Sequence, residues 1–362
     1  MMAYARAWGG PGGHGDLRTE AADFRVDEVL GFEPGGGGEH AWLWLRKRGA
    51  NTEDVAQALA RFAGVRRRDV GFSGMKDRHA DTGQWFSVHL PGRAEPEWSD
   101  VDPNVGVVEH AVRHNRKLRT GSHRANRFAL RLRAVEGDRA MIDERLVAVR
   151  DRGFPNYFGP QRFGHGGENL RRARRLLAPD AIKRARGIHL SAARSWLFNL
   201  VLDARVRDRS WIRPAPGDAL MLAGTNSVFE YRGDEDDIES RHDRFDLDVT
   251  GPLWGIGEQP VGPAAAERER AWLADESELR EGLERIAMQA RRRALRAVAP
   301  DLAWEWHGAD LELRFTLGRG IFATSLLDEA VTAIDVSRAD ADRAAPTGPV
   351  ATDRRGPIGE TE

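Results

Sequence analysis

"LAWEWHGADLELRFTL", Leu302 to Leu317, is the stretch on which the fold turns. Apolar and polar residues alternate on both sides of His307-Gly308-Ala309-Asp310, as in a two-stranded hairpin with one buried face. The nearest comparable strand upstream is Asn126 to Val135, with Phe128, Leu130, Leu132 and Ala134 on one side. Between the two, the chain reads as mainly helical. Strands on both sides of a helical middle predict an α+β domain interrupted by an insertion.

Working outward, "DFRVDEVL" (Asp23–Leu30) and "EHAWLWLR" (Glu39–Arg46) read as strands joined by a Gly35–Gly38 hairpin loop. Asn51 caps a helix with Val55, Leu59 and Phe62 on one face, and Gly64 closes it. Val70–Ser73 and Gln84–Leu90 are further strands. A helix from about Asp138 to Arg152 follows, with Met141, Leu146 and Val149 as its apolar stripe. At Phe154 the character changes to the aromatic, Gly-rich "FPNYFGPQRFGHGGENL". Helices are predicted near Glu168–Leu177 and Ser191–Asp208, then an acidic loop-rich stretch, then a polar helix near Ala264–Val298. A last helix is expected over Ala323–Ile334. Residues 1–15 read as a flexible Gly-rich leader. Residues 337–362 are Asp/Arg/Pro/Gly-rich and predict a disordered tail.

The chain of 362 residues has no cysteine, which excludes disulfides, thiolate nucleophiles and Cys-ligated zinc. Its histidines are scattered without a His-Glu-x-x-His helix, so no metal site is predicted. No apolar run reaches membrane-spanning length and no signal architecture opens the chain, so a cytoplasmic protein is expected. Fifty-five basic residues nearly balance 56 acidic ones, but the charges are segregated. Arg113 to Arg133 carries eight Arg/Lys and no acid, and Arg66–Arg68 and Leu170–Gly187 are also basic. Three basic blocks on an otherwise acidic body point to a polyanion such as nucleic acid, against the alternative of solvated helix faces.

The chemistry-bearing candidate is "GFSGMKDRHADTGQWFSV", Gly71 to Val88. Lys76-Asp77-Arg78-His79 stand between two strands, in a segment tight enough to need Gly74. Flanking cations favour a charged carboxylate, and a positioned carboxylate can attack an electrophilic carbon or take a proton. The plainer alternative is an exposed, salt-bridged turn. Phe128, two residues after Asn126 in the most basic block, is either core or a stacking platform for an unpaired base. "GHGGEN" precedes a basic helix whose amides could hold a phosphate, with simple capping as the alternative.

Together these motifs resemble the TruD family of tRNA pseudouridine synthases. The stretches that carry the likeness also include "RKLRTGSHRANRF", "SAARSWLFN", "LAGTNS" and "FATSLL", in the family's order from about Leu17 to Ile334. The resemblance implies an α+β fold: a pseudouridine-synthase catalytic domain on a mixed/antiparallel sheet, with an inserted, largely helical α+β TRUD domain. It places the catalytic domain at 1–153 plus 301–336 and the insertion at 154–300. Asp77 then matches the family's catalytic aspartate, Phe128 the aromatic that stacks on the target base, and Asn126 its polar neighbour. Arg18 matches a basic residue that pairs with the aspartate, and Lys76 is carried over as substrate-binding. The implied reaction isomerises uridine to pseudouridine, characteristically at position 13 of tRNA, with no cofactor and no metal. The expected partner is tRNA, bound by a monomer without a membrane. Competing readings are a non-catalytic RNA-binding or tRNA-folding module and a synthase acting on another RNA site. The sequence departs from the family at Asp81, expected to point to solvent, and at Gly83 and Ala125.

Overall fold

A computed structural model describes residues 3–180 and 187–337. Most of the expected tail, from residue 338 on, lies outside the described residues. In chain order the first strands are β1 (Gly13–Leu17), β2 (Phe24–Val29), β3 (His40–Lys47), β4 (Val70–Phe72), β5 (Asp81–His89), β6 (Val107–His114) and β7 (Ala125–Gly137). Then come β8 (Phe154–Pro155), β9 (Ala219–Leu222), β10 (Val228–Glu230), β11 (Leu247–Leu253), β12 (Arg291–Ala294) and β13 (Arg296–Ala297). The last are β14 (Ala303–His307), β15 (Asp310–Gly318) and β16 (Thr332–Asp335). The helices are α1 (Thr52–Phe62), α2 (Arg139–Arg152), α3 (Glu168–Leu177), α4 (Gly187–Arg207), α5 (Ile238–Asp243), α6 (Pro263–Trp272), α7 (Ser277–Arg285) and α8 (Ala323–Ala330).

Ten strands form one mixed sheet, ordered β14-β15-β7-β2-β5-β3-β6, with β1 on β7 and β16, and β4 on β5. Two pairings, β1–β16 and β2–β5, are parallel. The expected hairpin forms, turning through Gly308-Ala309 with His307 opposite Asp310. Gly308 takes a φ of 63° there, which a residue without Cβ adopts at little cost. Across the joint with β7, Phe315 lies opposite Phe128, Leu313 opposite Leu130 and Leu311 opposite Leu132. These side chains share one core with Ile142, Leu146 and Val149 of α2 and Leu326 and Leu327 of α8. Each fully buried Leu or Phe contributes about 1.5–3 kcal/mol, so residues far apart in sequence are fastened by apolar burial. On the other half of the sheet, Val55 and Leu59 of α1 cover Leu43, Leu45, Phe86 and Val88. A separate four-stranded sheet, β10-β9-β11-β12, packs on α4 around Phe158, Phe198, Leu220 and Val249.

Several sequence expectations need correction. The strands β2 and β3 are not hairpin partners, because β5 lies between them. A long loop between two strands does not fix which strand fills the gap. The stripe of β7 breaks at Ala134, which is exposed with φ 47°. A bulge there shifts the register against β1 and turns Val135 inward instead. On α2 the inward residue is Ile142, while Met141 is 39% exposed. The long polar helix expected near Ala264–Val298 is two helices, α6 and α7, followed by strands β12 and β13. The final helix stops at Ala330, and its expected last turn is the strand β16 beside β1.

The leader is packed along its described length. Tyr4 stacks on Tyr157 with ring centroids 4.7 Å apart. Ala5 N donates to Asp203, and Trp8 donates from its backbone to Glu329 and from its indole to Gly153 O. Its last glycines, Gly13 and Gly15, are in β1, and two aromatic anchors hold the segment before them.

Candidate active site

Strands β4 and β5 pair antiparallel, and the Asp77 turn is their connection. Three buried polar side chains clamp it. Thr52, at the start of α1, accepts from Lys76 N (2.9 Å) and donates to Gln84 Oε1 (2.9 Å). Gln84 donates to Gly74 O at 3.1 Å. Lys47 Nζ donates to Ala50 O (2.9 Å) and to Asp77 O (3.0 Å). Burial pushes the Lys47 ammonium down to about 8, with the Asp77 carboxylate opposing. A Cβ on Gly71 would lie 2.3 Å from Leu118 O, so that position admits only glycine. The tightest glycine requirement therefore falls on Gly71 rather than on the expected Gly74.

The Asp77 carboxylate is one-third exposed at the end of this clamp. Its Oδ2 accepts from Arg18 Nη2 at 2.9 Å and its Oδ1 from His79 N at 3.0 Å. Arg18 is buried, with its guanidinium 3.9 Å from the centre of the Phe24 ring and bonded also to Asp335 Oδ2 at 2.5 Å. Its backbone takes φ 64°, a conformation that costs a non-glycine residue about 1–3 kcal/mol and clusters at functional sites.

All five expected site residues, Arg18, Lys76, Asp77, Asn126 and Phe128, line one cavity of about 300 Å³. His123, Thr82, Gln161, Arg319, Phe322 and Thr324 complete much of its wall. The cavity is polar in an unsatisfied way. Asn126 Oδ1, Thr82 Oγ1, His123 Nδ1, Thr324 Oγ1 and Arg18 Nε are buried without a hydrogen-bond partner. Leaving each unpaired costs about 1–3 kcal/mol, and a polar planar ligand would relieve that cost. Burial, with the Lys76 charge second, holds the His123 imidazole below its ordinary value.

Two of the expected residues have close partners within the protein. Phe128 is only 8% exposed, stacked on Phe315 at 5.2 Å with Phe24 edge-on. It is a wall built into the core, not a free platform. Lys76 reaches the cavity, but its ammonium is bound to the fully buried Glu28 carboxylate at 2.7 Å. Arg78 donates to Gly49 O. Arg18, the residue just after β1, is the cation on Asp77.

Asp81 also departs from expectation. It is 3% exposed and held by Arg46 (3.0 Å) and Arg48 (2.7 Å). Gly83 leaves space for the Trp44 indole, which a Cβ would meet at 2.4 Å.

Among the described residues the basic blocks are neutralised in part. Arg113 pairs with Glu95, Arg131 with Asp310 and Arg133 with Asp23. Arg66 pairs with Asp69 and Arg67 with Glu53, while Arg171, Arg172 and Arg175 gather on Glu168. That carboxylate stands in the first turn of α3 and works against a phosphate there. Sequence reasoning missed Thr52, Gln84, Lys47, Glu28, His123, Asp335 and Arg319. The usable signal was polar residues at inward positions of otherwise apolar strands, as at Gln84 in "GQWF".

The family model for tRNA pseudouridine synthase D (TruD) matches residues 2–185 and 167–330. The chain belongs to the TruD family. It is 48% identical over 325 residues to the tRNA pseudouridine synthase D of Methylococcus capsulatus, covering 88% of this chain and 91% of that one. The protein of that name from Nitrosococcus oceani is 45% identical over 321 residues, covering 87% and 90%. A solved structure from Methanosarcina mazei, assigned to the same family, superposes with a TM-score of 0.72 over 91% of this chain and 95% of that one. At 18% identity that likeness concerns the fold alone, and the fold it supports is the mixed-sheet α+β architecture. No described helix is long and apolar enough to cross a membrane.

Proposed function

We propose that this chain isomerises uridine to pseudouridine in tRNA, with Asp77 as the group that touches the nucleotide. The observation that carries this is the Asp77 carboxylate, paired at 2.9 Å with Arg18 and opening into a cavity of base size. The reaction breaks the C1′–N1 bond, turns the uracil and forms C1′–C5. The C5 proton leaves and N1 gains one, so the product is an isomer. Asp77 serves either as nucleophile at C1′ or as base, and both roles need it ionised beside the sugar. Arg18 holds it in place while leaving Oδ1 to a single backbone amide. The target base must leave its stack at a cost of a few kcal/mol. The unpaired Asn126, Thr82, Thr324 and His123 atoms offer it new hydrogen bonds, and Phe128 offers an apolar wall.

On this reading the target is the uridine at position 13. Residues 1–153 with 301–336 form the catalytic domain and 154–300 the insertion. In support, the ten-stranded sheet draws its strands from Gly13–Gly137 and Ala303–Asp335, and the four-stranded sheet lies within Ala219–Ala294. The test is Asp77→Asn on unmodified tRNA, read by carbodiimide labelling and primer extension because pseudouridine adds no mass. The expected result is no stop at the target uridine with tRNA still bound. Near-normal turnover by Asp77→Asn would sink the mechanism. No stop with the unaltered chain would favour a pure RNA binder.

A further inference from the structure

Two arginines beside the cavity hold charge without a carboxylate. Arg293 lies 4.1 Å and Arg162 5.3 Å from the centre of the Phe158 ring, measured from the guanidinium carbon. Phe158 in turn meets Phe322 of the cavity wall edge-on at 6.1 Å. Arg293 Nη2 donates to Asn156 Oδ1 (2.5 Å) and to Gly320 O (2.9 Å), the latter also on the cavity wall. Arg162 Nη1 donates to Ser191 Oγ at 3.0 Å. The Nε of each is buried with no partner. Neither residue forms an ion pair among the described residues, nor does Arg319, the residue before Gly320.

Other arginines in this part of the molecule are treated differently. Arg205 is paired with Asp218 at 2.5 Å, Arg292 with Glu269 at 2.6 Å and Arg296 with Asp248 at 2.5 Å. Unpaired guanidiniums crowded together are costly. Burial first, and the Arg162 charge second, push Arg293 down to about 9, and burial lowers Arg162 as well. Both remain charged at neutral pH. A bound anion would supply the missing countercharge, and the planar fork of Arg matches phosphate oxygens.

We propose that Arg162 and Arg293, continued by Arg319 at the cavity mouth, form a binding track for the phosphodiester backbone of the strand that delivers its base to the cavity. The track is distinct in sequence from the three basic blocks, part of whose charge is held by carboxylates. The identity of the phosphate's carrier rests on the RNA-modifying reading above; the anion site itself does not.

The experiment measures affinity of the full chain for unmodified tRNA across a salt series. Arg162→Gln is the first variant because the side chain makes a single hydrogen bond among the described residues, to Ser191 Oγ. Arg293→Lys is the second, and Arg150→Gln, paired with Asp151 on α2, is the control. Arg162→Gln is expected to weaken binding about tenfold at fixed salt and to lower the slope of log affinity against log salt by about one. Its melting temperature should stay near that of the parent. The control should keep the parent slope. An unchanged slope for Arg162→Gln with intact folding overturns the proposal, whatever Arg293→Lys does. If the parent makes no pseudouridine but Arg162→Gln still flattens the slope, the activity reading fails and the phosphate track stands.

Discussion

Asp77 and Asp81 stand four residues apart in one short segment, yet the fold treats them oppositely. Asp81 sits 3% exposed between Arg46 and Arg48, and Arg46 also reaches Asp27 and Glu109. Hydrogen bonds to the two arginines hold its carboxyl below the usual range despite the opposing cost of burial. Asp77 has one arginine and one backbone amide, and a third of its side chain faces the cavity. A saturated carboxylate holds strands together. An undersaturated one on a braced turn is available to react. Local sequence does not decide between the two, because the partners that do come from the ends of β1 and β3.

The largest effect that could break this contrast is at Asp77. Asp77→Asn should lower single-turnover pseudouridine formation by at least about 10²–10⁴-fold, with little change in melting temperature. Asp81→Asn should do the reverse. Removing one member of a buried pair costs about 3–5 kcal/mol, read by denaturant unfolding, with turnover at permissive temperature close to parental. A loss of turnover at Asp81 with unchanged stability would erase the distinction.

Phe128 sharpens the comparison from the cavity side. As a buried wall, Phe128→Ala should cost about 3–5 kcal/mol of stability through the cavity it leaves. Phe128→Leu, which keeps more of the wall, should cost less stability and still raise KM if the ring meets the base. A parental KM for the leucine variant would leave Phe128 as core alone.

The smallest effect is a pH slope. Lys47 is depressed to about 8 from 10.5, so between those values the folded chain holds fewer protons than the unfolded one. Stability therefore gains a rising component across that window, as the cost of burying the charge is relieved. Lys47→Met should flatten the rise in a urea series at pH 8 to 10. An unaltered slope would show that Lys47 stays charged beneath Asp77.

Much of the fold was legible because period-2 alternation marks half-buried strands whatever their partners. The β14–β15 hairpin and β7 could be read that way, as could helices α1, α2 and α3. Strand order was not legible. Nothing local says that β5 separates β2 from β3, or that Thr332–Asp335 extends beside β1 instead of continuing a helix. Asp77, Asn126, Phe128 and Arg18 were found through motif order. Their supports, Thr52, Gln84, Lys47 and Glu28, were not, because a buried polar residue looks like a surface one until its partner is known.

By itself the sequence determined the types of most elements, the family, and an aspartate between two strands as the chemical candidate. Tertiary structure alone decided which charges are free. Arg18 comes from just past β1 to hold Asp77, Glu28 takes the Lys76 charge, and Arg113, Arg131 and Arg133 meet acids from elsewhere in the chain. Among the described residues, Arg162 and Arg293 lie beside the cavity without an ion pair. Charge along a chain is local, but whether it is compensated depends on contacts across the fold, and there the cost of burying it is set.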